Sequence, residues 1–292
     1  MTHQRASSMH GFSLFEAMVS IAILIVLSGA AMSGLLAYQK IYRSLDLKTD
    51  VLASLRGASE LMSQEIGQAG LLNYPGTSLG AAVAASLSPQ EATLTSTAGI
   101  FVGEKLLVDA GVAQETITVT EVGSTTVTGI FQNSHDAGAP VNAAGVFPQG
   151  VLSSSTASQL QLLGDMNADG TLVYVQYDCD TMAGTLSRSI TPITAASASP
   201  PQILLTGLIV NANGAPCFQY RTAAAAGYTF VTNVGMTVTI QTSRVDPQTG
   251  QLVTLANAFN HFAPRNLWAG LEMAQAGIHG SLQPTPPGVP LH

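Results

Sequence analysis

The sequence predicts an α+β protein: a long N-terminal helix, half transmembrane and half amphipathic, packed on an antiparallel β-sheet domain that carries a small inserted all-β module. Three observations predict it. Between Phe12 and Ala37 the one charged residue is Glu16, as in a segment built to cross a bilayer. Beyond Tyr38, apolar residues return at spacings of three, four and seven, the period of a helix with one apolar face. From about Pro89 onward, short runs rich in Val, Ile and Thr alternate with Gly, Asn and Pro turns, the pattern of antiparallel strands.

The first segment is long enough to span a hydrocarbon core of roughly 30 Å at about 1.5 Å per residue. A charge at membrane depth costs at least ~2.5–3.5 kcal/mol unless it finds a partner, so Glu16 marks a functional position. A secretory signal has an apolar core of only about 7–15 residues, cut after that core; this run is longer, and it holds an acid. A plain single-pass anchor explains the length but not the order Gly11-Phe12-Ser13-Leu14-Phe15-Glu16.

That order, after a short polar leader, resembles the type IV prepilin signature. In that family a membrane-embedded aspartyl peptidase cuts after the Gly and methylates the new amino terminus. The resemblance implies a leader at 1–11, cleavage between Gly11 and Phe12, and N-methylation of Phe12. It also implies that Glu16 faces the terminal ammonium of a neighbouring subunit. In a low-dielectric helical bundle that pair attracts far more strongly than in water, and either charge alone is heavily penalised. The leader carries Arg5 and two His, while Lys40, Arg43 and Lys48 follow the apolar run. Charge counting alone therefore points the other way, and it is the resemblance that puts the amino end in the cytoplasm and the rest in the periplasm.

Past the apolar run, Ile41, Leu45, Leu52, Leu55, Met62 and Ile66 form a helical stripe, with Asp46, Lys48, Asp50, Arg56, Glu60 and Gln64 between them. Gly67 and Gly70, followed by Pro75, end the helix, so that 12–70 is one helical segment whose stretch from Ser13 to about Gly67 is roughly 80 Å long. An amphipathic outer half of this kind is stable only against a globular domain. Gly29, Ser33 and Gly34 offer small faces for close helix packing. The run 58–70, closing on Ala69-Gly70, resembles the helix end of minor pilins of the W and J types.

Residues 71–88, rich in Gly, Ala and Ser, read as a linker. Strands follow at 92–96, 105–109, 116–122 and 125–131, with Gly103, Gly111 and Gly123 between them, and 89–148 reads as a self-contained β module. Its Gly103-Glu104-Lys105-Leu106-Leu107-Val108-Asp109 pattern resembles small β modules of bacterial surface proteins. His135-Asp136 reads as a surface turn. Over 149–270, strands are expected at 159–163, 172–177, 185–190, 203–210, 218–221, 234–242 and 252–262. The hairpins here, and the closing Pro264-Arg265-Asn266-Leu267, resemble the same W and J minor pilins. Residues 271–292 form a Pro-rich tail, of which 283–292 read as disordered.

Charged residues are 9% of the chain and the net charge is −7 with ten Lys and Arg, against a usual charged share of about 25%. So few cations exclude a broad phosphate-binding surface, and no direct nucleic-acid binding is expected. Cys179 and Cys217 lie beyond the membrane segment; in a periplasmic domain they are either bridged or two buried thiols. Asp165-Met166-Asn167-Ala168-Asp169-Gly170 sets oxygen ligands at alternate positions before a Gly, like the first half of a calcium loop. The second half is missing, since Val173 and Gln176 stand where later ligands belong, which excludes a helix-loop-helix hand. Two readings stay open: a non-standard calcium site completed by Asp178 and Asp180, or a hairpin loop held by Asx turns. Calcium is the one cofactor the sequence suggests, and no enzyme signature is present.

The resemblance thus implies a minor pilin or pseudopilin, in the inner membrane and then in a type IV pilus or type II secretion pseudopilus, at or near the tip. Its partners are the prepilin peptidase and sister subunits docked through the N-terminal helix. The rivals are an adhesin whose inserted module binds a surface or glycan, and a membrane-anchored periplasmic enzyme.

Overall fold

The computed structural model describes residues 13–73 and 76–289; the leader and its expected cut, at Gly11 and Phe12, lie outside the described residues. Helix α1 runs unbroken over Leu14–Gln68. Ser13 starts it: its hydroxyl accepts the Glu16 N–H, and the Glu16 carboxylate accepts the Ser13 N–H, both at 3.2 Å. This reciprocal pair is a capping box. At the other end Gly70, at φ +82°, turns the chain out of the helix in a conformation that suits glycine.

By compactness the chain falls into two units, one of residues up to Val51 with Thr242–Val253, the other of Leu52–Gln241 with Thr254–His292. In the first, the apolar side chains of α1 are exposed all round, Leu14 at 82%, Leu24 at 63% and Val26 at 70%. This is the chain's one described helix long and apolar enough to cross a membrane, and none of its most apolar window is buried. Ser44, also buried, donates to buried Asp246 at 3.0 Å, and Asp246 accepts the Gln248 N–H inside its own turn.

In the second unit the last turns of α1 bury Leu55, Ala58, Met62, Glu65 and Ile66, and Ala69 just past the helix is buried too. The strands follow in chain order: β1 (Leu71–Asn73), β2 (Thr77–Ser78), β3 (Gln90–Thr93), β4 (Lys105–Val108), β5 (Glu115–Thr118), β6 (Glu121–Val122), β7 (Thr126–Gly129), β8 (Pro140–Asn142) and β9 (Ala144–Val146). After these come β10 (Gln159–Gly164), β11 (Val173–Asp180), β12 (Thr185–Pro192), β13 (Gln202–Thr206), β14 (Leu208–Ile209), β15 (Phe218–Ala225), β16 (Tyr228–Val245) and β17 (Leu252–Phe262), then helix α2 (Arg265–Gln275). They form sheets of order β2-β8-β4-β5, β3-β7-β6, β1-β9, β10-β11-β12-β13 and β14-β16-β15, with β17 on β16. The β10–β13 meander is antiparallel throughout. The α+β class and its antiparallel β region are therefore as read from the sequence.

Several boundaries differ from that reading, each for a physical reason. The helical stripe is buried only at its outer end; Ile41, Leu45 and Leu52 stay exposed. The 71–88 stretch is not a bare linker: it carries β1 and β2, and Leu72, Leu79 and Val83 are buried. The strands of 89–148 do not enclose a core of their own. Leu106, Ile117, Val127 and Phe131 share one apolar cluster with Leu72, Leu163, Leu172 and Tyr174, because short two- to four-residue strands cannot bury enough apolar surface alone. The Pro264-Arg265-Asn266-Leu267 segment follows β17, which pairs with β16, and opens helix α2. Asn266 there donates to the carbonyls of Gly67 and Gln68 at 3.3 and 3.1 Å, capping free acceptors at the end of α1.

The tail past Leu271 is exposed over 275–280 but packs again beyond it. Leu282 and Gln283 are 0% and 1% exposed. The Gln283 amide accepts the Lys105 N–H and donates to the Lys105 carbonyl, at 2.9 and 3.0 Å. Proline removes a donor but not the capacity to lie extended along a neighbour, so composition misled here.

Candidate functional site

Glu16, the acid singled out in the sequence, stands in the first turn of α1. Its carboxylate there accepts an amide and meets the positive end of the helix dipole. The chain thus gives it a local partner that the sequence reading lacked, although the Ser-x-x-Glu spacing was legible.

The Asp165–Gly170 loop joins β10 to β11. Asp165 is fully buried, and its two carboxylate oxygens accept the N–H groups of Asp169 and Gly170, at 3.1 and 2.8 Å. Asp169 accepts the Thr171 N–H at 2.8 Å, chiefly for which its pKa is lowered. These are Asx-turn contacts. Asp178 and Asp180 do not join them. Gly164 pairs with Val173 beside the loop, whereas Asp178 pairs with Gln159 at the other end of the hairpin, roughly 17 Å along the strand. Asp180 instead caps the next turn through the N–H groups of Met182 and Ala183. Among the described residues no three His, Cys, Asp or Glu side chains converge as a metal site requires. Cys179 and Cys217 are joined as a disulfide.

His135 corrects the sequence reading most sharply: it is no surface turn but a buried side chain, 2% exposed. Its Nδ1 lies 3.0 Å from an Asp109 carboxylate oxygen, and its Nε2 lies 2.7 Å from one of Glu115. The β4–β5 hairpin positions both acids. Val108 pairs with Glu115, which leaves Asp109 just past the strand, at φ +67°. The His135 backbone pairs reciprocally with Val83 at 2.9 Å, bringing the ring back to that hairpin. Burial favours the neutral imidazole, but the bonds and charges of Asp109 and Glu115 outweigh it, so the pKa is raised. Bonding to His135 lowers that of Asp109. For Glu115, burial is overcome by His135 and by the N–H groups of Asn133 and Gln132. Acids flanking a hairpin turn were visible in the sequence; the return of His135 to them was not.

Glu104 is a second buried group that sequence reasoning passed over. One of its oxygens accepts the Phe101 N–H at 3.1 Å, and the other has no hydrogen-bond partner among the described residues. Burial pushes its pKa up to about 7, against the pull of that one bond. Phe101 also walls a cleft of about 440 Å³, with Ile100, Leu172, Ile193, Pro286 and Pro287 as further apolar lining and Asp169 as its charged residue. That volume lies in the range of small-molecule sites, about 300–1,000 Å³. Compared with family models, curated proteins and solved structures, the chain finds no match.

Proposed function

We propose that the chain is a minor pilin or pseudopilin, a structural subunit and not an enzyme. It is processed after Gly11, held in the inner membrane by α1 with its C-terminal part in the periplasm, and assembled with sister subunits into a pilus or secretion pseudopilus. The observation that carries this reading is the Leu14–Gln68 helix, whose most apolar window is left unburied among the described residues. It follows at once on the Gly11-Phe12 pair and opens with Glu16. Burial of that apolar surface, first in lipid and then against sister helices, supplies the driving force for both locations.

Coexpression with an active prepilin peptidase, followed by amino-terminal mass spectrometry, tests it. Methylated Phe12 as the first residue is the expected result; native protein still carrying 1–11 overturns the reading. Glu16→Ala is expected to be processed normally and to be depleted from sheared fibres, and equal incorporation of mutant and wild type would contradict a docking role. A second reading, a pilus-borne adhesin with residues 89–148 as its inserted module, is favoured by the apolar cleft beside Phe101. Glycan binding by the full chain, abolished when Thr171→Arg fills the cleft, would support it; binding that survives the block would place the ligand elsewhere.

A further inference from the structure

We infer that His135 is an imidazolium clasp that fastens the 130–139 loop to the β4–β5 turn and is released as pH rises. With both neighbouring carboxylates ionised, the geometry calls for two ring protons. Each nitrogen faces a carboxylate oxygen, at 3.0 Å for Asp109 and 2.7 Å for Glu115, and an ionised carboxylate only accepts. A neutral imidazole has one N–H, so one nitrogen would turn a lone pair toward an anion, with the ring 0% exposed. Unpaired polar contacts of this kind, out of water's reach, are costly.

Asp109 at the end of β4 and Glu115 at the start of β5 are the charged groups facing the ring. Val83 pairs with the His135 backbone, and Phe131 presents an aromatic edge to the ring with centroids 6.0 Å apart. Asp136, next in sequence, is exposed. Loss of the proton leaves two carboxylates with no cation between them. Glu115 also holds the N–H groups of Gln132 and Asn133, at 2.8 and 3.1 Å, so the loop's attachment depends on where that carboxylate sits. The folded-state pKa of His135 lies above its unfolded value near 6.5. The clasp's contribution is therefore complete below about pH 6.5 and lost as pH rises through the folded value.

The inference is independent of the pilin reading. Its test uses the full chain in detergent micelles, with hydrogen exchange followed from pH 5.5 to 9 and corrected for intrinsic rates. Protection over 130–139 is expected to fall about tenfold or more, the scale of one lost charged hydrogen bond, with a midpoint above 6.5, while β10–β12 stay protected. At pH 6, nitrogen NMR is expected to show both ring N–H groups. Asp109→Asn, which keeps a residue tolerant of positive φ, and Glu115→Gln are each expected to lower the midpoint, and Glu104→Gln to leave it in place. A single ring N–H at pH 6, a midpoint at or below 6.5, or a midpoint that moves with Glu104→Gln overturns the proposal.

Discussion

Glu104 and His135 are both protonated more readily in the folded chain than in the unfolded one, so both favour the fold in acid. For Glu104 the pKa rises from 4.5 to about 7; stability is complete below pH 4.5 and declines by on the order of 3 kcal/mol as pH approaches 7. Glu104→Gln is therefore expected to stabilise the protein by about 2–3 kcal/mol at pH 8 and hardly at pH 4. Denaturant titrations at the two pH values check this, and equal effects would rule out burial of the charge as the cause. Glu65 presents the opposite design, a buried acid with every need met. The Arg188 guanidinium grips it with two nitrogens, Nε at 3.0 Å, and the Tyr177 hydroxyl donates to it. Burial, and then the Glu65 charge, raise the Tyr177 pKa. Arg188→Ala strands the carboxylate and is expected to cost about 3–5 kcal/mol, whereas replacing both partners by Met and Leu recovers most of that. Chemical unfolding of the single and double variants distinguishes the two outcomes.

Helix α1 and the strands it meets are joined at a point where side chains have no room. A Cβ on Gly150 would lie 2.3 Å from the Gly70 nitrogen, and one on Gly70 would lie 2.5 Å from Leu267. The Gly70 N–H there donates to Leu163, and its carbonyl accepts from Phe147. Gly57, on the exposed side of the same helix, would meet nothing within 4 Å. Gly57→Ala is thus expected to stabilise by roughly 0.5–1 kcal/mol through helix propensity. Gly150→Ala is expected to lower the melting temperature sharply, since backbone must move. Thermal melts by circular dichroism would show the opposite signs, and matching signs would mean that the crowding has no consequence. Met62, fully buried on the inner face, is expected to cost about 2–5 kcal/mol when cut to Ala, as core methylene loss does.

Across the whole molecule, the Cys179–Cys217 bridge ties β11 to the strand that opens at Phe218, and its loop spans 38 residues. Cross-linking a loop of that length removes unfolded-state entropy worth about 4 kcal/mol. Reduction, or Cys179→Ser with Cys217→Ser, is expected to lower stability on that scale without altering the Glu65–Arg188 contact, as calorimetry with and without reductant would register. The same bridge suits an oxidising compartment, which the proposed periplasmic location would supply.

The helix, its apolar run, its Gly70 exit and most strand positions were legible because each depends on a local period or a turn residue. The Gly11-Phe12-Glu16 order was legible as well, since it is contiguous. Tertiary structure alone decided that His135 lies between acids 26 and 20 residues away, that Arg188 reaches Glu65 across 123, and that the Pro-rich tail packs. It also separated Asp178 and Asp180 from Asp165, whose spacing had suggested one site. Periodicity belongs to the chain, whereas burial and proton affinity belong to whatever distant groups the fold brings against a residue.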